Sequence, residues 1–184
     1  MRRLRVRLAS TRPIGIDAPQ YRRASVLIPV VRDGAGWSIL FTRRAEHLVA
    51  HSGQIAFPGG AVEQDESLED AAVREAEEEV GIHRSAVELI GRLDDVITNS
   101  GYLVAPFVGL VHQPARYVMQ ESEVVEVFEV PVDALRHPSQ PDVRYVTFRD
   151  RRYPAYYYVY EQREIWGLTG RMLKAFLDLV WQSV

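Results

Sequence analysis

Residues 63–79 carry nine acidic side chains, at positions 63, 65, 66, 69, 70, 75, 77, 78 and 79, against one base, Arg74. Like charge at this density is compatible with folding only where it is solvated, spaced apart or neutralised. Its spacing is the informative part. Ser67 with Asp70 three residues on has the form of a capping box, and Gly81 suits the left-handed residue that closes a helix. A helix between these two marks sets Glu75, Glu78 and Glu79 at i, i+3 and i+4, within about a 100° arc of one face. Ala71 and Ala72, one turn earlier, leave room beside that face. Three carboxylates so placed repel by about a few tenths of a kcal/mol per pair when exposed, and by more when partly buried. Arg74 supplies one compensating charge, and a hard divalent cation would supply the rest.

The rest of the chain narrows the chemistry. Its 184 residues contain no cysteine, which excludes thiol nucleophiles, disulfides and thiolate-held zinc or iron–sulfur centres. A catalytic metal would therefore sit on oxygen or imidazole ligands, a donor set suited to Mg²⁺, with Mn²⁺ as a substitute. No apolar run approaches the roughly 18 residues of a membrane span. The arginine-rich start has no apolar stretch behind it, so it does not read as a secretory signal. The expectation is a cytoplasmic enzyme with a small-molecule substrate and neither a membrane nor a nucleic-acid partner. The net charge of −3 hides a second segregation, because residues 1–23 hold seven arginines against Asp17 alone. This basic N-terminal arm reads as a solubilising tail, with contact to a substrate phosphate as the sharper alternative.

Hydrophobic patterning predicts one mixed α/β domain over residues 1–184. Ala24–Val31 and Trp37–Thr42 read as buried strands joined by a turn at Asp33–Gly36, and Gln54–Phe57 as a short strand stopped by Pro58-Gly59-Gly60. Further strands are expected at Val87–Val96, Tyr102–Val111, Val124–Val130, Val143–Phe148 and Tyr153–Tyr160, with a short helix opening at Pro131–Leu135. Met172, Leu173, Phe176, Leu177 and Val180 share one face of a closing helix over 167–182. The aromatic group Tyr156–Tyr158, Tyr160 and Trp166 reads as core or dimer surface, and so admits a homodimer. Stacking on adenine is the alternative.

Gly60, then Glu66, then Arg74-Glu75-Ala76-Glu77-Glu78-Glu79-Val80-Gly81-Ile82 resembles, without a gap, the Nudix box, here spanning residues 60–82. The resemblance implies a three-layer α/β/α sandwich with a mixed sheet and metal-dependent cleavage of a diphosphate linkage. It also implies that Glu75, Glu78 and Glu79 bind the metals. Arg74 would orient Glu75, and Glu66 would brace the loop or reach a metal through water. A fourth carboxylate often comes from outside the box in this family. Glu123 is the candidate, with Glu121 in reserve, so the catalytic set is Glu78, Arg74, Glu66 and Glu123.

Upstream, Leu40-Phe41-Thr42-Arg43-Arg44 and Gly53-Gln54-Ile55-Ala56-Phe57-Pro58-Gly59-Gly60 are similar to the added signature of the coenzyme A pyrophosphohydrolase subgroup. Ser100-Gly101-Tyr102, Pro106–Gly109, Val127–Pro131 and Ile165–Thr169 extend the likeness over roughly residues 24–180. Ala45 and Val49 stand where that subgroup usually has a serine and a second arginine. The resemblance implies hydrolysis of coenzyme A or its thioesters, with Arg44, Phe57, Gly59 and Gly60 at the substrate. Other Nudix substrates (ADP-ribose, dinucleotides, nucleoside triphosphates) and a non-catalytic nucleotide-sensing module are the rival expectations. His51 is a further loop residue able to approach phosphate.

Overall fold

The apolar run at 24–31 lies within a longer strand, β1 (Arg22–Asp33), whose two-residue alternation sets the layers of the molecule. Ala24, Ile28 and Val30 enter one core, whereas Leu27 and Val31 enter smaller clusters under a different helix. The computed structural model describes residues 2–33, 36–45, 53–112, 116–148 and 150–181. Residues 34 and 35 of the expected first turn, Val49 and His51 lie outside that set.

Seven further strands join β1: β2 (Gly36–Arg44), β3 (Ile55–Ala56), β4 (Gly59–Ala61), β5 (Val87–Arg92), β6 (Val96–Ile97), β7 (Tyr102–Val111) and β8 (Val124–Pro131). The order is β3-β2-β1-β7-β5, with β4 on β1, β6 on β7 and β8 on β2. β1 runs parallel to β7 and antiparallel to β2, so the sheet is mixed. A parallel pair needs a crossover, and the segment between β1 and β7 contains the acidic helix α2 (Leu68–Val80). Ala72 and Ala76 of α2 pack on Leu27, Ala105 and Phe107, and Val80 packs with Val31, Leu40 and Val111. Small side chains let the helix sit close to the sheet. The opposite face is covered by α1 (Arg2–Ser10), α4 (Gly167–Trp181) and a three-stranded sheet of β9 (Asp142–Phe148), β10 (Arg151–Tyr160) and β11 (Arg163–Ile165). A short α3 (Val132–Leu135) follows β8. The expected three-layer α/β/α sandwich with a mixed sheet is the observed architecture.

Helix ends follow the sequence signals. Ser67 Oγ accepts the Asp70 N–H at 3.0 Å, and Gly81 takes φ 71° while its N–H reaches the Glu77 carbonyl at 2.9 Å. Two expectations change. The strand over Val87–Val96 is split, because the register shifts between Leu89 and Gly91 and the chain leaves the ladder after Arg92.

The basic arm is not a tail. Leu4 and Leu8 of α1 are buried at 4% and 3% exposure, four residues apart on the inner face of a helix. Arg5 makes a two-pronged contact with Glu88, and Arg7 Nη1 donates to the Leu179 carbonyl at 3.1 Å. Beyond α1, Arg23 and Arg92 both pair with the buried Asp95, which also accepts the Ile16 N–H at 3.0 Å. α1 packs beside β5, at the end of the sheet order opposite to β3 and β2. Arg5 and Arg7 therefore brace the fold, and α1 packs on the core on the face of the sheet away from the acidic helix. Among the described residues, no helix is long and apolar enough to cross a membrane.

Leu8→Ala is expected to lower the unfolding free energy by about 2–5 kcal/mol through lost burial and the cavity left behind. Urea unfolding measures it, and an unchanged midpoint would mean that α1 adds nothing to the core.

Candidate active site

The site is assembled where β4 passes under α2. Val26 pairs with Gly59 and Ser25 with Gly60 along β1. A Cβ at Gly59 would come within 2.5 Å of the Ser25 carbonyl, and one at Gly60 would overlap the carboxylate of Glu75. The two glycines thus let the strand lie flat and leave a seat into which Glu75 folds. They shape the floor beneath the carboxylates.

Arg74 organises what stands above that floor. Its Nε and Nη2 hold Glu66 in a fork at 2.8 and 3.0 Å. Nη1 donates to Glu75 at 2.9 Å and to Glu78 at 2.8 Å, while Nη2 also reaches the Ala61 carbonyl at 3.2 Å. A guanidinium has five N–H bonds, and these five contacts occupy all of them. The hydrogen bond to Glu66 is the main reason that the Arg74 pKa is raised beyond its already high value, and the same bond lowers the Glu66 carboxyl. Both groups are therefore locked in their charged forms.

Glu79 is different. It is 2% exposed, accepts the Gly59 backbone N–H and faces Arg44 Nη1 at 3.5 Å. Burial dominates over these contacts and pushes its carboxyl from 4.5 up to about 8. Glu75 is raised too, first by burial, with Glu78 and Glu123 adding repulsion against the relief given by Arg74. Among the described residues, the buried Glu79 and the half-buried Glu75 are thus incompletely neutralised.

Glu123 is brought to this place by the segment between β7 and β8, which bonds back to the end of α2. The Val118 N–H bonds the Val80 carbonyl at 3.0 Å, and the Gln120 N–H bonds the Glu79 carbonyl at 3.1 Å. The Ala45 N–H then takes the Glu123 carbonyl at 2.8 Å. The charge of Glu123 contributes to the rise of both Glu75 and Glu79, whereas Glu121 is exposed. Arg44 arrives by strand alternation, since Leu40 of the same strand packs under α2, and Arg44 lies four residues further on.

Phe57 corrects an expectation. Its ring is 3% exposed and stacks on Phe41 with centroids 5.0 Å apart, so it packs in the core, in keeping with a structural part for this run. The sequence reading also missed two participants, the Gly59 N–H and the Ala61 carbonyl. Backbone groups carry no residue-type signal, and only the glycine pair hinted at them.

Among the described residues, no three acidic or histidine groups already surround a common point as a metal cage. The carboxylates lie on Arg74 and Arg44 instead. The donor set nevertheless fits a hard divalent cation: all its side-chain donors are carboxylate oxygens, and the buried Glu79 and half-buried Glu75 are incompletely neutralised.

The NUDIX domain model matches residues 21–150. Over 162 residues the chain is 41% identical to a protein of Escherichia coli O7:K1 described as an uncharacterized Nudix hydrolase NudL, covering 88% of this chain and 84% of that one. Among solved structures, the Nudix hydrolase RenU of M. smegmatis is similar at TM-score 0.54 and 23% identity, over 70% of this chain and 81% of that one. The NUDIX domain of Shewanella oneidensis NrtR, complexed with ADP ribose, is similar at TM-score 0.51 and 20% identity, over 67% and 80%. Fold and site together define a hydrolase of diphosphate compounds, a class whose members generally use divalent metal ions. The chain belongs to the Nudix family.

Two outcomes follow from the charge balance. In the metal-free protein a proton binds native Glu79 more tightly than unfolded Glu79. The stability this brings is complete below pH 4.5 and is lost as pH rises through about 8. Thermal midpoints in a chelator should therefore fall between pH 6 and 9, and less steeply in Glu79→Gln; equal slopes would remove Glu79 as the source. Arg74→Ala should destabilise by about 2–3 kcal/mol, less than a fully buried pair because Arg74 keeps 22% of its side chain exposed. Added Mg²⁺ should recover part of that loss by binding the native state, and a variant as stable as wild type would count against Arg74 as the counter-charge.

Proposed function

We propose that the chain hydrolyses coenzyme A or its thioesters to adenosine 3′,5′-bisphosphate and 4′-phosphopantetheine or its acylated form. The observation that carries this reading is the pairing of β2 with β3. Thr42 lies opposite Ala56 and Arg43 opposite Ile55, so the two halves of the subgroup signature are hydrogen-bonded neighbours. Together they make one wall leading to Gly59, Gly60 and Glu79.

In this reading Glu75, Glu78 and Glu79 hold Mg²⁺ or Mn²⁺. Bound divalent ions neutralise the diphosphate and lower the pKa of a coordinated water. Arg74 keeps Glu75 and Glu78 aimed, and Glu66 fixes Arg74 from behind. Glu123 adds a fourth carboxylate. Arg44, released from Glu79 once a cation shares that carboxylate, turns its planar fork to a substrate phosphate. Gly59 and Gly60 admit the phosphates close to the backbone. The ADP ribose bound to the NrtR domain motivates a second reading, hydrolysis of ADP-ribose, through a likeness of fold alone.

A substrate panel with Mg²⁺ or Mn²⁺, read by mass spectrometry of the products, separates these readings. Coenzyme A should give the two named products and the highest kcat/KM; a higher value for ADP-ribose would sink the coenzyme A reading. Glu78→Gln and Glu79→Gln should each remain folded and lose on the order of 10²-fold or more in kcat, because even outer-shell partners of metals are worth 10–100-fold. Turnover like that of wild type at saturating metal would end their assignment as ligands.

A further inference from the structure

At the end of β2, on the side away from Glu79, lies a groove of about 360 Å³ lined by Arg43, Gln54, Ile55, Gln162, Glu164 and Trp166, with Gly53 and Arg163 completing it. The aromatic run of β10 is divided by strand alternation. Tyr158 is buried and Tyr156 and Tyr160 pack on the core, while Tyr157 faces the other way. Its ring stacks on Trp166 with centroids 5.7 Å apart and planes 5° apart. The Arg144 guanidinium sits 3.9 Å from the centre of the same Tyr157 ring and is itself held by Asp142 at 2.8 Å and Glu164 at 3.1 Å. Arg144, Tyr157 and Trp166 thus form a column whose parts are fixed before any ligand arrives. Trp166 ends it with 42% of its surface exposed, a large fraction for a tryptophan that lines a groove.

We infer that this groove receives the nucleobase of the substrate, with the ring stacked on Trp166 as the next layer of the column. The inference rests on the preceding reading only in taking the substrate to be a nucleotide diphosphate derivative. Three features favour a purine nucleoside. The indole offers a π-face. Gln162 brings an amide group of the kind that pairs with an adenine edge. Arg43 places a cation at the same wall: it pairs with Glu126 at 3.0 Å yet keeps 39% of its side chain exposed, which suits a nucleoside that carries phosphate. Arg163, by contrast, is committed to Glu126 and Glu161 and lies over the Phe128 ring. Position supports the match. Arg43 and Arg44 are consecutive in β2, one turned to the groove and the other to Glu79. A nucleotide passing the end of β2, where these two side chains diverge, would put its base on Trp166 and its diphosphate on the carboxylates.

The test uses the full chain and two probes, adenosine 3′,5′-bisphosphate and 4′-phosphopantetheine, as inhibitors of the Mg²⁺-dependent reaction on whichever diphosphate substrate the panel identifies. Trp166→Ala should raise KM and the inhibition constant of the adenosine probe by about 5–100-fold, the range for loss of one stacked base. kcat and inhibition by 4′-phosphopantetheine should change little. Trp166→Phe, which keeps a ring, should recover much of the affinity. In the wild-type chain the adenosine probe should quench tryptophan fluorescence, and in Trp166→Phe that quenching should disappear although Trp37 and Trp181 remain. Equal inhibition constants in wild type and both variants, or no quenching at saturating probe, would overturn the inference. If ADP-ribose, and not coenzyme A, proves to be the substrate, the coenzyme A reading falls, while a Trp166-dependent KM for ADP-ribose still supports the groove.

Discussion

Every part of the site depends on one crowded interaction, the guanidinium of Arg74 among Glu66, Glu75 and Glu78. Without it, α2 would hold several like charges in the first shell of a buried surface, and folding would have to tolerate them by protonation or by distortion. With it, Glu66 and Arg74 stay charged and the loop after β4 is tied to the helix through the Ala61 carbonyl. The compensation is incomplete by construction. Glu79, deepest in the fold, receives only the Gly59 N–H and a distant Arg44, and its carboxyl rises accordingly. That shortfall in positive charge is what a hard cation would relieve.

Alternation along two strands carries this local chemistry into the architecture. In β1 it builds a sheet buried on both faces, with α2 on one side and α1, α4 and the small sheet on the other. In β2 it sends neighbouring arginines to opposite faces. At its end β2 is flanked by β3 on one side and β8 on the other, and β11 packs against β3. The end of β2, where Arg43 and Arg44 diverge, therefore lies between the carboxylates and the Trp166 groove.

Much of this was legible in the residues themselves. Ser67, Gly81 and the glutamate spacing marked α2 to within a residue, because caps and helical periodicity are local physics. The strands at 24–31, 37–42, 102–111 and 124–130 were legible as apolar runs bounded by turn residues. What was not legible depended on partners distant in sequence. The arginines of residues 2–7 masked Leu4 and Leu8, whose four-residue spacing is a helix signal too short to stand alone. Phe57 was assigned by its motif, whereas its fate was decided by Phe41 across β2. The sequence ranks Glu123 ahead of Glu121 by the apolar run that it opens, but the backbone bonds from Val118 and Gln120 to the end of α2 that carry Glu123 there have no sequence signal.

The saturation of Arg74 has a consequence for how such a protein diverges. With its five N–H bonds spent on groups of its own chain, the hub has nothing left to offer a ligand, so it exerts no preference among substrates. Recognition must come from side chains on other elements, such as Arg44 and the residues at the edge of the sheet. A change in those walls leaves the internal contacts of the hub intact. A shared name across the family therefore records an inherited engine and is silent about its cargo.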